Sequence, residues 1–384
     1  MVNKGMAVRQ HWVGVTAVVA LAAQLAMPAQ AAAPAPIAAK PAPLAPPALK
    51  EVQLCDGGGV VRGFVPAKAT SKPPPVFPDF DAAHDSEGWV RIGFTIDTEG
   101  STRNVVVLDR MGSERMISAA VSAVKNWDYK PATLNGQPAE QFNNTAEILY
   151  ELQTGQSRAV HENVVKLYES GRDLVNKGKY AEGIAILESA KEERLNLFEQ
   201  AMISFALAYA HALSSNPQKA LPQIRHAMIE DGRFLEKRIT NPAKRLRIRM
   251  EALAGNPRYV ACAPAIADTD DFDPAGADRK DLMRIIGSTT ALLKSAAPYV
   301  RAARVPEPVK EDDPAMWEYE LIRKKFSFTS ISGTLTKFRV NCVVHLVEDD
   351  VKLANQWATP EFSGPCTLRV WGEPGTTFKL VEEW

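Results

Sequence analysis

Gly88-Trp89-Val90-Arg91-Ile92-Gly93-Phe94-Thr95-Ile96, followed by Asp97-Thr98-Glu99-Gly100, decides the fold of the first domain. Val90, Ile92, Phe94 and Ile96 alternate with Trp89, Arg91, Gly93 and Thr95, the period of two that gives a strand two different faces. Asp97 to Gly100 is turn chemistry, with a glycine able to take positive φ. Val105, Val106, Val107 and Leu108, within 103–109, predict a second strand returning antiparallel. Ile117, Ala120, Val121, Val124 and Trp127 recur every three or four positions and predict one apolar helix face. Pro131 stops helical propagation. A third strand is predicted from Asn144 to Leu152. The order β-β-α-β predicts a small α+β layer with its helix on one sheet face.

Three pieces of this region stand in order: Pro75-Val76-Phe77-Pro78, the Gly88–Gly100 hairpin start, and Ala123-Val124-Lys125-Asn126-Trp127-Asp128-Tyr129-Lys130-Pro131-Ala132. Residues 73–152 thereby resemble the TonB C-terminal domain family, whose pattern is an aromatic-Pro entry, a G-x-V-x-V-x-F-x-I-D-x-x-G hairpin and an A-V-x-x-W-x-aromatic-x-P-A helix end. The sequence departs from it after the second strand, where Asp109-Arg110-Met111-Gly112-Ser113 replaces the frequent Ser-Ser-Gly. In the family's energy transducers this domain ends the chain; here 232 residues follow Leu152. The resemblance implies an exposed edge on the third strand, at Thr145, Ala146, Glu147, Ile148, Leu149 and Tyr150, able to pair with a protein or peptide partner such as an outer-membrane receptor segment. The same edge could instead serve domain packing or dimerisation.

Beyond it, residues 158–255 predict helical repeats. Gly171, Leu174, Gly178, Tyr180, Gly183, Leu187 and Ala190 resemble tetratricopeptide spacing, and Ala206, Tyr209, Ala220, Ile224 and Ala227 form a second unit. A plain helical bundle is the alternative. The helix from about Pro242 to Leu253 would cap the repeats. Residues 256–317 are read as a helical linker region with a helix from Asp281 to Ala297. Residues 318–384 change to short runs of β-branched and aromatic residues punctuated by glycines, a small antiparallel β module. Cys342 and Cys366 lie in its predicted strands; a bridge would be worth about 3 kcal/mol by chain entropy. Elimination leaves Cys55 and Cys262 as a second pair.

Upstream, residues 32–72 are read as a linker, Ala/Pro-rich in its first part and so extended. Lys4 and Arg9, the apolar run Trp12–Met27 and Ala29-Gln30-Ala31 read as a signal peptide over residues 1–31. Its rival is an uncleaved anchor, although sixteen helical residues span roughly 24 Å against a ~30 Å hydrocarbon core. The chain of 384 residues carries 45 basic and 45 acidic side chains. That neutrality argues against a protein built to grip nucleic acid, and no apolar stretch supports a polytopic membrane protein.

No catalytic motif meets its context. His161-Glu162 lacks the second histidine of a zinc site, and Gly57-Gly58-Gly59 lacks the Lys-Ser/Thr of a phosphate loop. Asp268 to Asp273 fails the calcium-loop pattern, with Asp273 where glycine belongs. His211 and His226 fall on predicted helices, where a surface or packed histidine is the usual fate. No metal or other cofactor is expected. The sequence predicts a non-enzymatic periplasmic protein that binds protein or peptide partners through the sheet edge and the helical repeats. The alternative is an inner-membrane-anchored energy transducer of the TonB type. Membrane contact requires a retained residue 1–31 segment, and the Ser and His that the family's transducers place in their anchors are absent from residues 12–27.

Overall fold

The computed structural model describes residues 61, 63–152, 160–263, 276–308, 314–353, 355–360 and 365–384. Residues 1–31, Gly57–Gly59, Cys55 and Asp268–Asp273 lie outside them. The first part holds β1 (Phe64–Val65), β2 (Lys68–Ser71), α1 (Asp79–Ala82), β3 (Gly88–Ile96), β4 (Thr102–Met111), α2 (Glu114–Lys125), β5 (Asp128–Lys130), β6 (Ala132–Leu134), β7 (Gln137–Ala139) and β8 (Gln141–Tyr150). The main sheet runs β4-β3-β8, all antiparallel. Val90, Ile92, Phe94, Ile96, Ile148 and Tyr150 form one core with Met116, Ile117, Ala120 and Val124 of α2. The alternation expected in β3 and the apolar helix face thus meet as predicted. Ser113 caps α2 by accepting from the Met116 amide. Gly100 has φ +91°, and a Cβ there would sit 1.8 Å from the Tyr129 carbonyl oxygen, so this turn admits glycine alone.

Two features correct the sequence reading. β1 pairs with β6 and β2 with β5, so the end of the stretch taken as linker is built into this domain. These strands are two and four residues long with no apolar alternation, so periodicity could not show them. The helix also ends at Lys125, before Pro131, and the intervening residues enter β5.

Next come α3 (Glu162–Asn176), α4 (Tyr180–Ser189), α5 (Leu197–Leu213), α6 (Pro217–Ala227), α7 (Lys237–Leu253), α8 (Pro257–Ala261) and α9 (Ala277–Lys294). Gly171 and Gly183 let α3 and α4 touch: a Cβ on Gly183 would lie 2.7 Å from the Gly171 carbonyl oxygen. The helix foreseen from Pro242 starts five residues earlier, with Pro242 inside it. One apolar cluster runs through α3–α7 and takes in Trp89 of β3.

The last part holds β9 (Tyr299–Arg304), β10 (Met316–Leu321), β11 (Lys325–Ser332), β12 (Leu335–Asn341), β13 (Leu346–Asp350), β14 (Gln356–Ala358), β15 (Cys366–Gly372) and β16 (Thr377–Glu383). They form two antiparallel sheets, β10-β15-β12-β13 and β14-β11-β16-β9, over a shared core including Trp317, Phe328, Phe338 and Phe378. The module therefore starts at β9, inside the stretch read as helical linker. Cys342 and Cys366 are bonded, 24 positions apart.

Candidate functional site: the β8 edge

Thr145, Ala146, Glu147, Ile148, Leu149 and Tyr150 all fall in β8, facing Gly93, Ile92, Arg91, Val90, Trp89 and Gly88 in unbroken register. Asn144 extends that register to Phe94; only beyond it does the ladder shift, where Asn143 takes φ 59°. β8 pairs with β3 alone among the described strands. Its only described main-chain hydrogen bond elsewhere runs from the Phe142 amide to the Val343 carbonyl, 2.8 Å. The opposite edge, β4, is broken by two register shifts against β3, one beside Asn104 at φ 50°. Bulges twist an edge away from pairing, so Asn144–Tyr150 is the regular edge of this sheet.

Side chains on β8 alternate in role. Ala146, Ile148 and Tyr150 pack on the helix side; the Tyr150 hydroxyl donates to the Met116 carbonyl at 2.7 Å, and its ring meets Phe77 edge-on at 5.4 Å. Thr145 and Glu147 are exposed on the other face, and Leu149 packs against the helices. Partial desolvation raises the Glu147 carboxyl above its usual range; the Glu230 and Asp109 charges add to this and Arg91 and Arg247 oppose it. Glu230 itself lies in a left-handed stretch with Asp231, at φ 47° and 55°.

Glu87 fixes where the edge ends. Its carboxylate accepts from the Leu152 amide at 2.7 Å, just past β8, and from the Leu197 amide at 2.9 Å, the first residue of α5. Its main-chain amide donates to the Leu195 carbonyl at 3.2 Å, and its carbonyl accepts from Gln200 Nε2 at 2.6 Å. A carboxylate at a helix N-terminus also meets the positive end of the helix dipole. On the same face, His226 Nε2 lies 2.9 Å from Asp109 Oδ1 and its ring meets Trp89 edge-on at 5.3 Å. Burial would raise the Asp109 carboxyl, but His226, the Arg91 charge and the Arg110 amide together hold it below its usual range. Arg233 and Glu151 pair at 2.6 Å. The face of the sheet opposite α2 is thus fastened to the helices, and among the described residues no strand pairs with the outer edge of β8.

The structure brings the six predicted edge residues together. It also supplies residues that sequence reading passed over. Glu87, Asp109, Gln200 and His226 join the first domain to the helices, and no motif marks them, because their partners lie more than a hundred positions away. The pairing of Cys55 with Cys262 involves a residue outside the described set. Among the described residues, no group of three or more His, Cys, Asp or Glu could hold a metal ion, and no helix is long and apolar enough to cross a membrane.

Residues 73–152 match the family described as Gram-negative bacterial TonB protein C-terminal. Two solved structures are similar to part of the chain. The solution NMR structure of the Pseudomonas aeruginosa TonB CTD shares 21% identity, covering 25% of this chain and 92% of that one, at TM-score 0.21. The TonB2 protein from Vibrio anguillarum shares 24% identity, covering 32% of this chain and 100% of that one, at TM-score 0.20. Comparison with curated proteins gives no match.

Proposed function

We propose that this is a non-enzymatic periplasmic protein that receives an extended peptide segment of a protein partner as a fourth strand along Thr145–Tyr150. The single observation that carries the reading is the regular Asn144–Tyr150 run, paired on one side only among the described strands. The family match over residues 73–152 supports it, since the resemblance implies receptor-segment pairing at this strand. Six residues of added strand form about six main-chain hydrogen bonds, each worth about 0.5–1.5 kcal/mol net. Against an association cost of about 4 kcal/mol or more, that predicts main-chain binding no tighter than roughly a few hundred micromolar. Main-chain pairing supplies the affinity, and exposed Thr145 and Glu147 flank the partner's alternate side chains. The helical hairpins, read as tetratricopeptide-like repeats, hold the edge in place and offer a second contact surface.

Selection of a random heptapeptide library on the full chain tests this. The reading expects extended peptides whose binding shifts the amide signals of 144–150. It fails if no peptide is retained, or if retained peptides shift signals only elsewhere.

A further inference from the structure

Where the β8 ladder shifts, two residues of β8, Phe142 and Asn143, lie against the single Thr95 of β3. Such a bulge leaves an amide outside the ladder. The Phe142 amide is nonetheless taken: it donates to the Val343 carbonyl at 2.8 Å, the length of a ladder hydrogen bond. Val343 therefore stands where the next residue of a strand added along β8 would stand. It belongs to the turn 342–345 between β12 and β13, and that turn is firmly held. The Cys342 amide donates to the His345 carbonyl at 2.9 Å, and Asn341 pairs with Leu346 across its base. β12 is an inner strand, flanked by β13 and β15, and Cys342 is bonded to Cys366 at the start of β15. The two cysteines are 0% and 5% exposed, which keeps solution thiols from the bond. Asn341 and Leu346 line one gap with Asn143 and Asn144 of β8. At the far end, Glu87 takes the Leu152 amide and Arg233 pairs with Glu151. Main-chain pairing is thus offered over 144–150, about 24 Å at ~3.4 Å per residue.

We propose that the turn 342–345 is an end-stop for the β8 edge: it limits an added strand to the run facing 144–150 and so sets the register in which the partner pairs. This rests on the strand-addition reading given above. An edge that offers main-chain bonds alone specifies register weakly, because a slip by two residues recreates the same bonding pattern. A slip toward Phe142 is different. It must break the Phe142–Val343 bond, which exchanges one main-chain bond for another, and it must displace a turn held by a disulfide and by strand pairing. The β module thereby takes part in recognition. It selects partners whose extended segment turns away at the Phe142 end instead of continuing along β8.

The test uses the full chain and a heptapeptide selected on it, lengthened by Ala-Ala at one end and then at the other. The NMR coupling across the hydrogen bond, from the Phe142 amide nitrogen to the Val343 carbonyl carbon, reports the stop directly. On the native chain that coupling should persist at saturation with peptide, and neither extension should tighten binding by more than about twofold. Deleting Val343 and Val344 leaves a two-residue hairpin loop and withdraws the turn from β8. On that chain the extension that reaches Phe142 should tighten binding about fivefold or more, through about two added main-chain bonds, and should shift the Phe142 signal. Loss of the coupling while peptide binds along 144–150, or a fivefold gain on the native chain, would overturn the end-stop and leave strand addition standing. So would a folded deletion chain that gains nothing from either extension. If the deletion chain does not fold, the coupling on the native chain decides. Retention of no peptide, or shifts confined elsewhere, would overturn strand addition and the end-stop with it.

Discussion

Replacing Glu87 by alanine removes the acceptor of two main-chain donors, the amides of Leu152 and Leu197. Hydrogen bonds to a charged group contribute about 1.5–3 kcal/mol each, and Leu197 is 1% exposed, so its amide gains little from water in exchange. Glu87 itself is only half-buried, which reduces the total to about 2–4 kcal/mol. Its main-chain contacts to Leu195 and Gln200 survive the substitution, so the domains stay docked but loosened. A cooperative unit of 150–250 residues loses about 2–4 °C per kcal/mol, so scanning calorimetry should show a fall of about 5–15 °C. Glu87→Gln, which retains one acceptor, should lose about half as much. Amide exchange should rise first at Leu152 and Leu197. A fall below about 2 °C with both amides still protected would refute the view that Glu87 anchors the end of β8 to the helices.

Cys342→Ser with Cys366→Ser, or reduction, should cost about 3–4 kcal/mol through the loop that the bridge closes, read as a lower denaturant midpoint for the β module. Burial pushes the Glu382 carboxyl from 4.5 up to about 7, so its protonated form is favoured in the fold. That stabilisation is complete below pH ~4.5 and is lost as pH rises to about 7. Wild type minus Glu382→Gln should therefore show stability falling by on the order of 3 kcal/mol across that window, and a flat difference would contradict it. Gly183→Ala should destabilise by about 1–3 kcal/mol, because its Cβ would meet the Gly171 carbonyl and Val175. Gly287→Ala, in open space within α9, should stabilise by about 0.5–1 kcal/mol in the same melt.

Elements with a strong period were legible before the structure. The alternation of Val90 to Ile96 and the helical spacing of Ile117 to Val124 describe faces that bury against each other locally, so each sequence window contains its own cause. β1, β2 and β9 were not legible in this way. β1 and β2 form because β6 and β5 offer ladder partners distant in sequence, such as Leu134 for Phe64 and Lys130 for Lys68, and β9 forms because β16 does. The edge residues 145–150 were placed by resemblance, but the reason that this edge rather than β4 is regular lies in the bulges of β4, which leave no trace in composition. His226 illustrates the same limit. Its sequence context is a helix surface, and its role comes from Asp109 and Trp89, brought against it by docking.

The central claim is that a partner pairs with β8 through its main chain. Its most direct test is an N-methyl scan of a heptapeptide selected on the full chain, with affinity measured at each position. Strand addition predicts a period of two: methylation at alternate positions, where the amide faces β8, weakens binding tenfold or more, and methylation between them has little effect. A scan with no such alternation, or one governed only by the peptide's side chains, would contradict the account.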